Sequence, residues 1–338
     1  MKNADMAAWA SSVKTSRKRI AIPIMTHPGI ELCGCTVLEA VTDGATHAKA
    51  IEKLNEVFPA AATTVIMDLT VEAEAFGSKI IFEQNDIPTV SGRLVGSLAE
   101  VQALEVPSLE KGRVQEYLKA NRTAAENIAD KPVFAGCIGP FSLAGRLFDM
   151  SEMMMYMYIE PDTIHLLLEK CTEFITNYIK AIKETGVNGV IMAEPAAGLV
   201  SDDDCKAFSS VYVKRIVEEV QDENFMFVLH NCGNTGHCTS AMVMTGAAGL
   251  HFGNQADMVE ALKNCPSDTL VMGNLDPVGV LKMSSAEKVH EATLELLEKT
   301  AEYPNFVLST GCDVPPHIPE ENIKAFYAAL DCFNESRQ

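Results

Sequence analysis

The sequence contains no run of the roughly 18 apolar residues that a membrane-spanning helix requires. Its apolar stretches, such as residues 60–67, include threonines and stop at Asp68. It also lacks positive charge. Forty-six acidic residues outweigh 27 basic ones for a formal net charge of −19, so an extended phosphate backbone is repelled and nucleic acid is excluded as a partner. The amino terminus carries Asp5 ahead of the basic cluster at residues 17–19 and has no apolar core of the kind an export signal needs. Ten cysteines in a long, unexported chain are then expected to be reduced thiols in the cytoplasm. No Gly-x-Gly-x-x-Gly or phosphate-loop motif follows a strand, which argues against a nucleotide site. Tandem repeats, charge blocks and Gly/Ser linkers are missing as well, so one domain is expected over residues 1–338, with a core of about 20–335.

What the chain does have is 47% hydrophobic and 22% charged residues, enough for a large buried core. Short apolar or β-branched runs at 20–25, 63–67, 132–137, 187–192, 225–230, 248–252, 269–272 and 306–309 alternate with longer segments of helical period. That alternation predicts βα units and a parallel sheet. Two further β runs at 79–82 and 87–90, beside Pro88 and Gly92, read as a hairpin decorating the core. Pro161 opens a helix whose apolar face is Ile164, Leu167, Leu168, Cys171, Ile175 and Ile179 and which Gly186 closes. Ser284, Ser285 and Glu287 form a helix-start signal with the glutamate at the third position. Eight strands in about 300 residues predict an α/β fold of the (β/α)8 TIM-barrel type with an N-terminal helical and β-hairpin elaboration. A doubly wound sheet stays open, because spacing does not give strand order.

The segment FMFVLHNCGNTGH, residues 225–237, delivers His230 and Cys232 at a strand's carboxyl end. Side chains two apart on extended chain share a face, so an imidazole nitrogen and a thiolate can meet one metal ion. Cys312, 80 residues on, follows another strand and would lie on the same catalytic rim. A His, Cys, Cys set with one vacant position suits zinc that activates a substrate. Against it stand Cys33 and Cys35, and also His237, Cys238, His251 and His317, each equally readable as a turn or core residue. Asp68 and Glu194 end their own strands and serve as candidate acid/base groups, further metal ligands or helix N-caps. Asp276 reads as a turn residue, Asp202 to Asp204 as a solvated helix start, and the methionines of 150–157 as core filling.

Taken in order, TTVIMDLTVEAEAFGSKIIF, AGCIGPFSLAGRLF, the 158–201 segment with VIMAEP, LHNCG, GNLDP and TGCDVPPHIPEENIKAF resemble the uroporphyrinogen decarboxylase superfamily over nearly the whole chain. Within it they resemble the zinc-dependent corrinoid methyltransferases of the methylcobamide:coenzyme M type. The resemblance implies a (β/α)8 barrel, zinc on His230, Cys232 and Cys312, and a methylcorrinoid co-substrate on a separate corrinoid carrier protein. The acceptor it implies is a small thiol whose sulfur becomes the fourth zinc ligand and attacks the methyl group. Glu194 is the candidate carboxylate near that metal, and Asp68 is retained from the family pattern. The decarboxylases' early arginine pair is absent from PIMTHPGIELCG, Arg146 stands where they have a tyrosine, and TGC replaces their late histidine. Related barrels demethylate small O-, N- or S-methyl compounds onto a corrinoid protein, which is the alternative function. A tetrapyrrole decarboxylase and a catalytically silent binding protein are the others.

Overall fold

The alternation of apolar runs and helical periods becomes alternating strands and helices in the computed structural model, which describes residues 4–337. The strands are β1 (Thr63–Thr64), β2 (Lys79–Ile81), β3 (Thr89–Ser91), β4 (Val133–Ile138), β5 (Gly189–Ala193), β6 (Met226–Asn231), β7 (Gly249–Phe252), β8 (Leu270–Leu275) and β9 (Phe306–Thr310). Seven of them form one parallel sheet in the order β1-β4-β5-β6-β7-β8-β9. Residues 20–25 close it. Ala21 bridges to Leu308 in parallel, and on its other side its carbonyl accepts from Ala61 N at 2.9 Å, just before β1. First stave and last strand therefore meet, which makes a (β/α)8 barrel and excludes the open doubly wound sheet.

Two of the expected strands are abbreviated, and side chains are the cause. The Ser309 hydroxyl donates to the Ile22 carbonyl at 2.7 Å and Ile24 N donates to the Thr310 hydroxyl at 3.1 Å, so residues 20–25 bond to side chains where a ladder would continue. The run 63–67 yields only a two-residue strand, because beyond Val65 the Ile66 N–H donates to the buried His47 Nε2 at 2.9 Å. The hairpin β2/β3 pairs Ile80 with Val90, as expected, with its turn shifted by a residue or two.

The long helix is Pro161–Glu184, with its six apolar positions all buried and Gly186 at φ +93° just past its end, a conformation that favours glycine. Helix Ala286–Lys299 starts one residue later than the spacing suggested. Ser285 caps it through Lys288 N, while the Ser284 hydroxyl donates to Gly279 O at 3.0 Å, leaving Glu287 at the second position.

Inside the barrel, Ile22, Phe134, Ile191, Met226, Val228, Leu270, Met272 and Val307 form an apolar layer. The N-terminal helix Met6–Thr15, capped by Asp5, packs Met6 and Val13 into the same cluster. Trp9 lies 6.4 Å from the Phe134 ring, and Met6 N donates to Glu223 O at 2.6 Å. Burying a side chain such as Met6 contributes about 1.5–3 kcal/mol. The helix thereby stoppers the barrel at the strands' amino ends and leaves the carboxyl ends to form a cavity. Among the described residues no helix is long and apolar enough to cross a membrane.

Candidate metal centre

Strand alternation puts Met226 and Val228 of β6 into the apolar layer, so His230, two residues further, points inward above it. It sits in register with Ala193 of β5 and His251 of β7. The chain then turns on asparagine side chains. Asn231 Oδ1 accepts from Gly233 N and Asn234 N at 3.1 and 3.0 Å, and Asn234 Oδ1 accepts from Gly236 N and Cys238 N at 2.8 and 2.9 Å. This double turn aims Cys232 back over the barrel. Cys312 arrives from the end of β9, where Gly311 N donates to Leu275 O at 2.8 Å. A Cβ on Gly311 would stand 2.5 Å from Asn254 N, so only glycine lets the chain just before Cys312 pack this closely on Asn254. One ligand atom each from His230, Cys232 and Cys312 lies within 4.8 Å of the others.

The three also line a cavity of about 260 Å³ at the strands' carboxyl ends, together with Ile24, Met67, Leu69, Thr70, Ile87, Pro88, Arg146, Ala193, Pro195 and Asp313. Its wall is mainly apolar, and among the described residues Arg146 is its one Arg or Lys. Among the described residues Arg146 has no hydrogen-bond or ion-pair partner, while burial lowers its pKa against the pull of Asp68 and Glu72. Cys232 is held below a free thiol's usual value, chiefly by its hydrogen bond with Cys312, and Cys312 is pushed up by that bond and then by burial. Two neighbouring thiols release a first proton readily and resist the second. A dication reverses that resistance, and one imidazole with two thiols is the soft donor set zinc prefers, so the residues present fit it.

Glu194 and Asp68 are placed elsewhere. Glu194, 1% exposed, accepts from Phe141 N and Ser142 N at 3.2 and 2.8 Å and from the Ser209 hydroxyl at 2.6 Å. Its carboxylate thus caps helix Pro140–Phe148 and does not enter the metal-binding group or the cavity wall. Asp68 accepts from Thr70 N, the Thr70 hydroxyl, Arg113 Nη1 and the Tyr117 hydroxyl at 2.9, 2.7, 2.5 and 3.3 Å. Arg113 is further held by Glu74 and the Val41 carbonyl and lies 4.8 Å from the Phe82 ring. This buried network ties the hairpin and helix Val114–Asn127 to the cavity wall at Met67, Leu69 and Thr70. Both carboxylates stand at the rim, as the strand ends suggested, yet the structure does not bring either to the three ligand atoms.

None of the other candidates joins the three ligand atoms. Cys33 ends helix His27–Cys33, Cys35 bonds back to Ile30 O, and His317 pairs with Glu31 at the surface. His237 bonds Val200 O and Cys238 is buried. Asp276 caps the turn of Pro277–Lys282. Met153 and Met157 are core residues but Met155 is half exposed, and Asp202 pairs with Lys206 while accepting from Ser240. His251 proved to be the informative one: its Nδ1 lies 2.8 Å from His230 Nδ1. The spacing of residues 230 and 251 carried no signal for that contact. Their register positions would have.

Fold and cavity define a class first: an enzyme barrel with its reactive groups at the carboxyl mouth of the strands. A family model described as uroporphyrinogen decarboxylase (URO-D) matches residues 12–332, and the chain belongs to that family. Among its relatives, methylcobamide:CoM methyltransferase MtbA of Methanosarcina acetivorans is 29% identical over 87% of this chain and 86% of its own. MtaA of Methanosarcina barkeri, also a methylcobamide:CoM methyltransferase, is 28% identical over 78% and 77%. A uroporphyrinogen decarboxylase of Pseudoalteromonas atlantica is 25% identical over 80% and 78%. A solved methyltransferase from Methanosarcina mazei superposes with a TM-score of 0.88 at 25% identity, covering 98% of this chain and 99% of that one. Within the family the chain is a methyltransferase.

Proposed function

We propose that this methyltransferase moves a methyl group from a methylated corrinoid, carried on a separate protein, to a thiol held at a zinc site formed by His230, Cys232 and Cys312. The reading rests on one observation: an imidazole nitrogen and two thiols converge within 4.8 Å at a largely apolar cavity. The relatives' names supply coenzyme M, a small thiol bearing a sulfonate, as the acceptor. When bound, zinc would act as a Lewis acid that keeps a coordinated thiol deprotonated at neutral pH.

The chain's own residues supply the rest. Ile24, Met67, Leu69, Ile87, Pro88, Ala193 and Pro195 keep water from a sulfur anion, which raises its reactivity. Arg146 meets the negative charge at the far end of the acceptor and orients it. In the transfer a sulfur lone pair forms the S–C bond while the Co–C pair stays on cobalt, leaving it as Co(I). The thiol's proton departs to solvent beforehand. We further propose a single barrel domain working in the cytoplasm, a reading supported by ten cysteines that are all free.

The test is metal content of protein purified without added metal, measured beside Cys232→Ser and Cys312→Ser. About one zinc per chain, lost in both variants, is the expected result, followed by demethylation of methylcobalamin with coenzyme M. A wild type that neither carries nor takes up zinc overturns the reading. Zinc with no thiol methylation, but with methyl transfer from an O-, N- or S-methyl compound to Co(I), would reverse the direction assigned here.

A further inference from the structure

The inward positions one step above the barrel's apolar layer are polar. Val228 and Val307 belong to that layer, and two residues on stand His230 and Ser309, with His251 of β7 between them. His251 is fully buried. Its Nδ1 lies 2.8 Å from His230 Nδ1, its Nε2 lies 2.8 Å from Ser309 Oγ, and the Ser309 hydroxyl donates to the Ile22 carbonyl at 2.7 Å. The two imidazoles meet edge to face, with centroids 4.6 Å apart at 79°.

Only one set of proton positions satisfies this chain with neutral rings. A carbonyl oxygen cannot donate, so the single Ser309 proton goes to Ile22. Ser309 Oγ must then accept, which places a proton on His251 Nε2. A neutral imidazole carries one proton, so His251 Nδ1 is a bare acceptor and the proton between the two rings sits on His230 Nδ1. His230 Nε2 is left with its lone pair free. We propose that His251, anchored through Ser309 on the Ile22 carbonyl, is a positioning residue that holds His230 as the Nδ1–H tautomer and presents its Nε2 lone pair to Cys232 and Cys312.

Such an outer partner also polarises the ligating imidazole and raises its basicity. The carbonyl belongs to the first stave and the serine to the last strand, so closure of the barrel itself sets the tautomer. In its metal consequence the inference rests on the zinc reading, but the tautomer does not depend on it.

The experiment uses metal-free full-length protein with 15N-labelled histidine and long-range 1H–15N correlation. His230 should be protonated at Nδ1 and His251 at Nε2. Ser309→Ala should leave His251 in mixed tautomers, and Ser309→Thr should restore one. By competition against a chelator, Ser309→Ala and His251→Phe should bind zinc about 10- to 100-fold more weakly than wild type, with Ser309→Thr close to it. His230 protonated at Nε2 in the wild type overturns the proposal. So does zinc affinity within about twofold of wild type in folded Ser309→Ala, the milder variant should His251→Phe not fold. Wild-type protein with the assigned tautomers and no zinc uptake would sink the methyltransferase chemistry proposed above while supporting the relay.

Discussion

Removing the Glu194 side chain separates two roles that a strand-end glutamate can have. As placed here, Glu194→Ala deserts three buried donors, Phe141 N, Ser142 N and the Ser209 hydroxyl. Each orphaned donor costs about 1–3 kcal/mol. Part of that is returned, because burial already holds the Glu194 carboxyl above its usual pKa against those same hydrogen bonds, so its charge is only partly compensated. The net loss should be about 3–5 kcal/mol, or roughly 4–7 °C in melting temperature for a domain of 338 residues. Glu194→Gln keeps one oxygen acceptor and should lose roughly half as much. Zinc bound per folded chain should be unchanged in both, since no Glu194 atom belongs to the metal-binding group. Scanning calorimetry beside metal analysis reads both quantities. A variant as stable as wild type that has lost its zinc would refute this placement and restore the carboxylate to the metal.

Three further expectations follow from the geometry. A Cβ on Gly253 would stand 2.6 Å from Cys232 O and 2.7 Å from Cys232 Cα, so Gly253→Ala should displace Cys232 and weaken metal binding; unchanged affinity in a chelator titration would contradict it. Arg146→Gln should raise KM for a thiol bearing a sulfonate or carboxylate by about 10- to 100-fold, the worth of a charged hydrogen bond, while sparing an uncharged thiol of similar size. An equal effect on both thiols would remove Arg146 from substrate recognition. Burial lowers His47 from 6.5 to about 3, so below the unfolded value the unfolded chain takes up a proton that the folded one refuses. Its contribution is complete above pH 6.5 and shrinks as pH falls towards about 3, by about 1.4 kcal/mol per unit. His47→Gln, which keeps an acceptor for Ile66 N, should flatten the urea-midpoint profile between pH 7 and 5, and parallel profiles would show that His47 does not carry that slope.

What could be read from the chain follows from local periodicity. Period-two and period-3.6 patterns mark strands and helices wherever neighbouring residues share a face, which is why Pro161–Glu184 and β4 to β9 lie close to where their apolar runs put them. The pattern overreached at 63–67, where the His47 side chain, far back in sequence, captures the next backbone donor. No local rule anticipates a long-range partner of that kind.

For the site, the sequence by itself determined the donor types and their delivery. His230 and Cys232 ride one strand end and Cys312 follows another, because a βα unit always exposes its catalytic residues at the carboxyl end. Tertiary structure alone decided which groups face one another. Closure of the barrel brought residues from strands 80 positions apart to within 4.8 Å, set His251 against His230, and placed Arg146 in the same cavity wall. It also turned Glu194 into a helix cap and Asp68 into an anchor for Arg113. The physical reason is that a strand fixes how far along the barrel a side chain stands, whereas its partners are chosen by packing and hydrogen bonding across strands that the sequence keeps apart.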